Sequence, residues 1–284
     1  MCCIAGCPSL LGRDRAEKEG IRFIKDKGEL KIGVINLMPF KEEVEYQFYA
    51  VLGRFDISVE MEFLYPENHI FKNTKGSYIK DNYYPMGELK KRGYDGVIMT
   101  GAPVELMEFH NVNYWDEIKS FIKSNQLPVI YICWGAQAAL YVKYGIKKIS
   151  LKEKLFGIYR HRTNKNPFIS GEFMAPHSRN TQNSSEDIKR AGLRILAESD
   201  EAGVYISSDK VYSDFYISGH GEYQRERLQY EYCRDKQLLP KNYFPEDDPE
   251  REPSMNWDSH RKEFYYNWLK YLKEKKLSNI PNNM

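Results

Sequence analysis

The chain has 284 residues, of which 42% are hydrophobic and 29% charged, with a formal net charge of +2. That size suits one α/β domain with an appendage. The balanced charge argues against a nucleic-acid or membrane partner, and no run of about 18 apolar residues offers a transmembrane helix. The cysteines are Cys2, Cys3, Cys7, Cys133 and Cys233, an odd and unevenly spaced set. No disulfide framework is expected from it, and a reducing cytoplasm fits best. The amino-terminal run has neither a charged n-region nor a long apolar core, so it does not read as a signal peptide. Its three thiols lack a partner cluster, and no metal site is expected.

Residues 1–29 read as a tail with a short helical stretch from Asp14 to Lys25, and residues 30–284 as a single α/β domain. Leu30 to Leu37 is a buried-type strand. Lys41 to Leu52 has helical periodicity, with Val44, Phe48 and Val51 on one face. Ile57 to Leu64 alternates as a second strand, and Asn68 to Tyr84 is an aperiodic excursion. Met86 to Arg92 reads as a helix. Asp95 to Thr100 is a third strand running into Gly101-Ala102-Pro103, Asn113 to Lys123 is helical, and Leu127 to Ile132 is the next strand. The region from about 144 to 213 shows little regularity. Asp214 to Ser218 is a strand, Tyr223 to Cys233 a helix, 236–256 a proline- and acid-rich loop, and Ser259 to Lys275 a final helix that wraps the domain. Strands alternating with helices predict a doubly wound, mostly parallel sheet, whose ligands bind beyond the carboxyl ends of the strands.

Three segments meet that rim. Tyr131-Ile-Cys133-Trp-Gly-Ala-Gln137 reads as strand, sharp turn and helix, which places Cys133 on a nucleophile elbow near a helix amino-terminus. The strand from Asp214 leads into Gly219-His220-Gly221-Glu222. A cysteine nucleophile needs an imidazole to take its proton and an acceptor to orient that imidazole; His220 and Glu222 can supply both. The other histidines receive quieter readings. His177 is structural or sits behind the site, His69, His110 and His161 belong to the surface or loops, and His260 pins the last helix. Cys233 is a packing residue.

A longer series of segments follows one order: Asn36-Leu-Met-Pro39, Thr100-Gly-Ala-Pro103, Cys133-Trp134 with Gln137-Ala-Ala-Leu140, Glu153-Lys-Leu155, Ala175-Pro-His-Ser-Arg179, Arg234-Asp235, Asn242-Tyr-Phe-Pro245 and Asn267-Trp-Leu269. In these the chain resembles the homoserine O-acyltransferases of methionine biosynthesis, the branch built on the class I glutamine amidotransferase fold. The resemblance implies acyl transfer through a thioester on Cys133, with His220 as base and Glu222 as its orienter. The backbone N–H of Trp134 would serve the oxyanion hole. Lys154, Ser178 and Arg234 would bind substrate, the guanidinium of Arg234 gripping the amino-acid carboxylate. The family's donor-sorting position holds Glu105. Glutamate there goes with acetyl-coenzyme A and glycine with succinyl-coenzyme A. Two like charges about 4 Å apart cost around 4 kcal/mol at an effective dielectric near 20, so acetyl is expected. Coenzyme A would enter as a substrate, with no resident cofactor, and a homodimer is expected.

The chain departs from the family pattern in its lead before residue 30, in Val44 and Tyr46, and in His220-Gly-Glu222 where His-Pro-Glu is commoner. Serine therefore stays open as acceptor beside homoserine. The other readings are a homoserine O-succinyltransferase and an amidotransferase-like hydrolase, which the C-x-G-x-Q spacing of Cys133, Gly135 and Gln137 also fits. Against the latter stand Tyr131, where a glycine is usual, and the absence of an ammonia-accepting domain.

Overall fold

The computed structural model describes residues 4–5, 10–235 and 238–278; Cys2, Cys3 and Cys7 lie outside them. Five parallel strands form the centre of the sheet: β3 (Leu30–Ile35), β4 (Val59–Tyr65), β6 (Gly96–Met99), β7 (Val129–Ile132) and β12 (Asp214–Ile217), in the order β4-β3-β6-β7-β12. Beyond β4 lie β1 (Ile4–Ala5) and β2 (Phe23–Ile24), also parallel, and β5 (Tyr84–Pro85) pairs with the end of β4. Beyond β12 the sheet turns antiparallel through β11 (Gly203–Ser208), β10 (Arg194–Ser199), β8 (Lys148–Thr163) and β9 (Glu172–Asn183).

Both faces of β6 and β7 are covered, which is why their sequences read as unbroken apolar runs. Along β7, Ile130 and Ile132 point into one core while Val129 and Tyr131 point into the other. The first core is closed by α2 (Lys41–Leu52) and α8 (Asp258–Ser278), the second by α4 (Trp115–Ser124) and α5 (Trp134–Tyr144). α8 lies so close to β6 that a Cβ at Gly96 would sit 2.7 Å from Leu272 and 2.9 Å from Trp268. No helix of the described residues is long and apolar enough to cross a membrane.

The expected elements from Leu30 to Ile132 are present within a few residues, Met86–Lys91 as a 3₁₀ turn. Three stretches differ. Before residue 30, the helix is α1 (Leu11–Lys18) instead of Asp14 to Lys25, and β1 and β2 extend the sheet edge. Leu10, Ala16 and Ile21 are buried there, and the Gly12 amide donates to the Glu45 carboxylate at 3.0 Å. Within the excursion lies α3 (Gly76–Asn82), held because the hydroxyls of Tyr78 and Tyr83 donate to the same buried Glu45. The largest difference is at 144–213, where β8 and β9 form a long antiparallel ribbon and α6 (Ser185–Arg190) leads into β10. Its inward positions include His177, Arg179 and Thr181, all nearly inaccessible. A strand buried through polar side chains that satisfy one another shows no hydrophobic alternation, the signal on which strand reading depends.

Candidate active site

β6, β7 and β12 end side by side, and the three segments singled out in the sequence emerge together from them. Cys133 is the residue before α5, with φ 50° and ψ −115°. Such a backbone strains a non-glycine residue by about 1–3 kcal/mol. The elbow is over-determined by its surroundings. The Cys133 N–H donates to Ile217 O at 2.7 Å, and the Trp134 indole is fully buried against Phe109, Tyr114 and Trp115. Gly101 completes the fit, since a Cβ there would lie 3.1 Å from Cys133 Cβ and 3.8 Å from Sγ. The Trp134 N–H lies in the first turn of α5, where helix geometry leaves amides without intrahelical acceptors.

His220 follows β12, its N–H donating to Pro176 O at 2.9 Å. Its Nδ1 is 2.8 Å from Glu222 Oε1, which leaves Nε2 free to face Cys133 across the cavity that both residues line. Tyr223 stacks on the imidazole at 4.2 Å and 11°. The Tyr223 carbonyl accepts from the Trp257 indole at 2.9 Å and Arg261 at 3.0 Å, so the carboxyl-terminal wrap holds the histidine loop. Burial alone would pull the imidazolium down, but the Glu222 carboxylate and then Cys133 push its pKa up to about 10. Glu222 Oε2 finds no donor among the described residues, so this buried carboxylate relies on His220 for its compensation.

Exchanging Glu222 for glutamine is therefore expected to lower kcat/KM by about 10²–10⁴-fold. Without the carboxylate, burial dominates and the His220 pKa falls. The alkaline limb of the pH–rate profile would move to lower pH, and an unmoved limb would show that Glu222 does not set the protonation of His220.

Cys133 and His220 open into a cavity of about 260 Å³ that Glu105, Lys154, Ser178 and Arg234 also line. Glu222 stands behind His220 outside that lining. Lys154 lies on β8 and Ser178 on β9, so the polar ribbon carries them to the rim. Glu105 is clamped by three donors of β9: the Asn180 N–H at 2.9 Å, the Asn180 side-chain amide at 2.7 Å and the Thr181 hydroxyl at 3.1 Å. Gln137 of the elbow helix donates to that same hydroxyl at 2.9 Å. Arg234, at the end of α7 (Arg227–Arg234), makes a two-point pair with Asp235, Nε at 2.6 Å and one terminal nitrogen at 2.8 Å. The hydrogen bond from Arg234, supported by one from Lys154 at 3.0 Å, holds the Asp235 carboxyl well below the usual carboxylate range.

Sequence reasoning missed Glu231, Arg227 and Arg179. Glu231 is a buried carboxylate on the cavity wall. It accepts from the Ser178 hydroxyl and the Tyr223 hydroxyl, pairs with Arg227 at 3.2 Å, and lies 3.9 Å from Lys154 Nζ. Arg227, Glu231 and Arg234 recur at helical spacing inside the expected helix, a stripe that could have been read as one face. Arg179 is buried beside Cys133; burial pulls its guanidinium down to about 10 against the pull of Cys133 and Glu105, so it stays a cation at neutral pH.

Arg179 also fixes a chain of neutral imidazoles beneath the site. Its Nε–H donates to His177 Nδ1 at 3.3 Å; His177 Nε2 then donates to His161 Nε2 at 3.1 Å, and His161 Nδ1 to Tyr159 O at 2.9 Å. Desolvation holds His177 well below its usual pKa and His161 at about 4. His161 is thus a core residue and not a surface one, because its hydrogen bonds replace water on both ring nitrogens. Cys233 is exposed on α7 and does not pack, since that face of the helix points outward.

The homoserine O-succinyltransferase family profile matches residues 10–278. A protein of Ilyobacter polytropus named homoserine O-acetyltransferase 2 is 80% identical over 282 residues, 99% of each chain. A homoserine O-acetyltransferase of Acetivibrio thermocellus is 44% identical over 261 residues, 87% of this chain and 86% of that one. Among solved structures, a glutamine amidotransferase from Methylobacillus flagellatus superposes with TM-score 0.54 at 14% identity, over 86% of this chain and 95% of that one. One from Thermotoga maritima gives TM-score 0.54 at 12% identity, over 88% and 99%. At those identities the likeness is one of fold.

Proposed function

The chain belongs to the homoserine O-succinyltransferase family, and from that premise we propose that it moves an acetyl group from acetyl-coenzyme A to the hydroxyl of L-homoserine through a thioester on Cys133. Acyl transfer to homoserine follows from the family, and the choice of acetyl follows from the names of its relatives. The observation that carries the mechanism is the cavity in which Cys133 and His220 face Glu231 and Arg234. A zwitterionic amino acid needs one anion and one cation at its α-carbon end. Glu231 suits the ammonium and Arg234 the carboxylate, which would share the guanidinium with Asp235.

Cys133 Sγ attacks the thioester carbonyl while His220 Nε2 holds the sulfur's proton. The tetrahedral oxyanion is met by the Trp134 N–H at the positive end of α5. The intermediate collapses with loss of coenzyme A, whose sulfur takes that proton from His220. The homoserine hydroxyl then gives its proton to His220 and its oxygen attacks the acetyl carbon. Cys133 leaves as the sulfur anion, and O-acetyl-L-homoserine is released. The reading implies a cytoplasmic enzyme, where acetyl-coenzyme A is supplied. It needs no metal, and a homodimer is carried over from the resemblance.

Initial rates with acetyl-coenzyme A and either L-homoserine or L-serine, followed by release of free thiol, test it. Homoserine is expected to win by about 10–200-fold, the value of one methylene in a shaped pocket. A serine preference of that size would reassign the acceptor. No thiol release with either would overturn the transferase.

A further inference from the structure

The catalytic cavity, at about 260 Å³, falls below the usual range of roughly 300–1,000 Å³ for ligand sites. It has room for an amino acid and an acetyl group, not for a nucleotide-bearing thioester. A larger cavity of about 790 Å³ adjoins it, and Glu105 and Leu106 line both. The loop between β6 and α4 is thus a shared wall. Its crest is apolar, with Leu106 73% and Met107 42% exposed. Lys148 stiffens it from below, donating to the carbonyls of Glu105 and Met107 with its ammonium 4.8 Å above the Phe109 ring.

On the wall of the larger cavity Tyr141 is 40% exposed, backed by the buried Phe109 ring at 4.9 Å, which in turn packs on Trp115 at 5.0 Å. At the rim stand Lys119 and Lys123, one turn apart on α4, and Lys147 beyond α5. All three are exposed, and none has an acidic partner within 4 Å among the described residues. The carboxylates in the groove are Glu105, already clamped by β9, and Glu108. Cations without acidic partners among the described residues, beside an exposed aromatic ring, suit a ligand that carries phosphates next to a heteroaromatic ring.

Building on the function proposed above, we infer that this groove seats the nucleotide end of the acyl donor. Its phosphates lie against Lys119, Lys123 and Lys147, and its adenine and upper arm against the exposed ring of Tyr141. The thioester arm crosses Leu106 and drops to Cys133. The loop that carries Glu105 therefore meets both ends of the donor.

The test compares two donors, acetyl-coenzyme A and S-acetyl-N-acetylcysteamine, which has the thioester but no nucleotide. The variants are Lys119→Glu with Lys123→Glu, and Lys147→Glu; methionine replacements at the same positions guard against misfolding. Charge reversal should raise KM for acetyl-coenzyme A by roughly tenfold or more with kcat little changed, as expected for lost electrostatic complementarity. The constants for the short thioester should stay as in the unaltered enzyme. Added salt should raise KM for acetyl-coenzyme A in the unaltered enzyme and less in the variants. Equal changes for both donors, or none for either, would overturn the groove assignment. So would a change in oligomeric state with KM unmoved, which would make the face a contact between copies. Failure of both donors to acetylate the unaltered enzyme would instead overturn the transferase itself.

Discussion

Cys133→Ala is expected to lower turnover by about 10⁴–10⁶-fold, the scale seen when the nucleophile of a coupled catalytic set is removed. The reason is positional as well as chemical. Cys133 sits alone at the tip of the elbow between β7 and α5, and the His220 ring is turned toward it by Glu222. Incubated with acetyl-coenzyme A and no acceptor, the unaltered enzyme should gain the mass of one acetyl group and Cys133→Ala none. Exposed Cys233 provides the control: an adduct that persists in Cys133→Ala and vanishes on replacing Cys233 would place the chemistry elsewhere. Alanine keeps the strained backbone at φ 50°. Cys133→Gly is expected to be equally inactive but more stable than Cys133→Ala by about 1 kcal/mol, read as a higher thermal midpoint, because glycine adopts this conformation freely.

Opening the acyl pocket at Glu105 should have the second-largest effect, on donor choice. A free carboxylate could swing away from the carboxylate of a succinyl group, but this one is fastened to β9 by three hydrogen bonds. Its charge stays in place. Glu105→Gly is expected to shift the ratio of kcat/KM for succinyl- over acetyl-coenzyme A by about three orders of magnitude, from around 4 kcal/mol of like-charge repulsion. Glu105→Gln separates the causes, since it keeps the volume and removes the charge. If glutamine leaves the ratio alone and glycine moves it, space is the filter. If neither moves it, Glu105 does not choose the donor. Glu105→Gly should lose stability, because Asn180 and Thr181 lose their acceptor, a deficit of about 1–3 kcal/mol when buried, whereas Glu105→Gln keeps an oxygen for Asn180 and withdraws only the one that Thr181 uses. A fall in acetyl transfer therefore has to be read beside the thermal midpoint.

The central strands themselves, the elbow at Cys133 and the partnership of His220 with Glu222 were legible from residues alone, because each is written locally. Apolar runs of four residues mark doubly covered strands such as β6 and β7, the change of periodicity at Cys133 marks a turn, and two positions suffice to bring Glu222 to the ring of His220. The resemblance added Lys154, Ser178 and Arg234, and the fold brings them into one cavity with Cys133. Tertiary structure alone decided the rest. The β8–β9 ribbon is invisible to hydrophobic periodicity because its buried side of His177, Arg179 and Thr181 is made stable by partners distant in the chain, such as Ala202 and Gln137. The edge strands β1 and β2 exist only through pairing with each other and with β4, which no local propensity of two residues can announce. The approach of Lys154 to Asp235, and the convergence of Ser178, Arg227 and Lys154 on Glu231, join residues up to 81 positions apart. Such charge networks depend on which groups lose water together, and that is set when the sheet closes, not by any one segment.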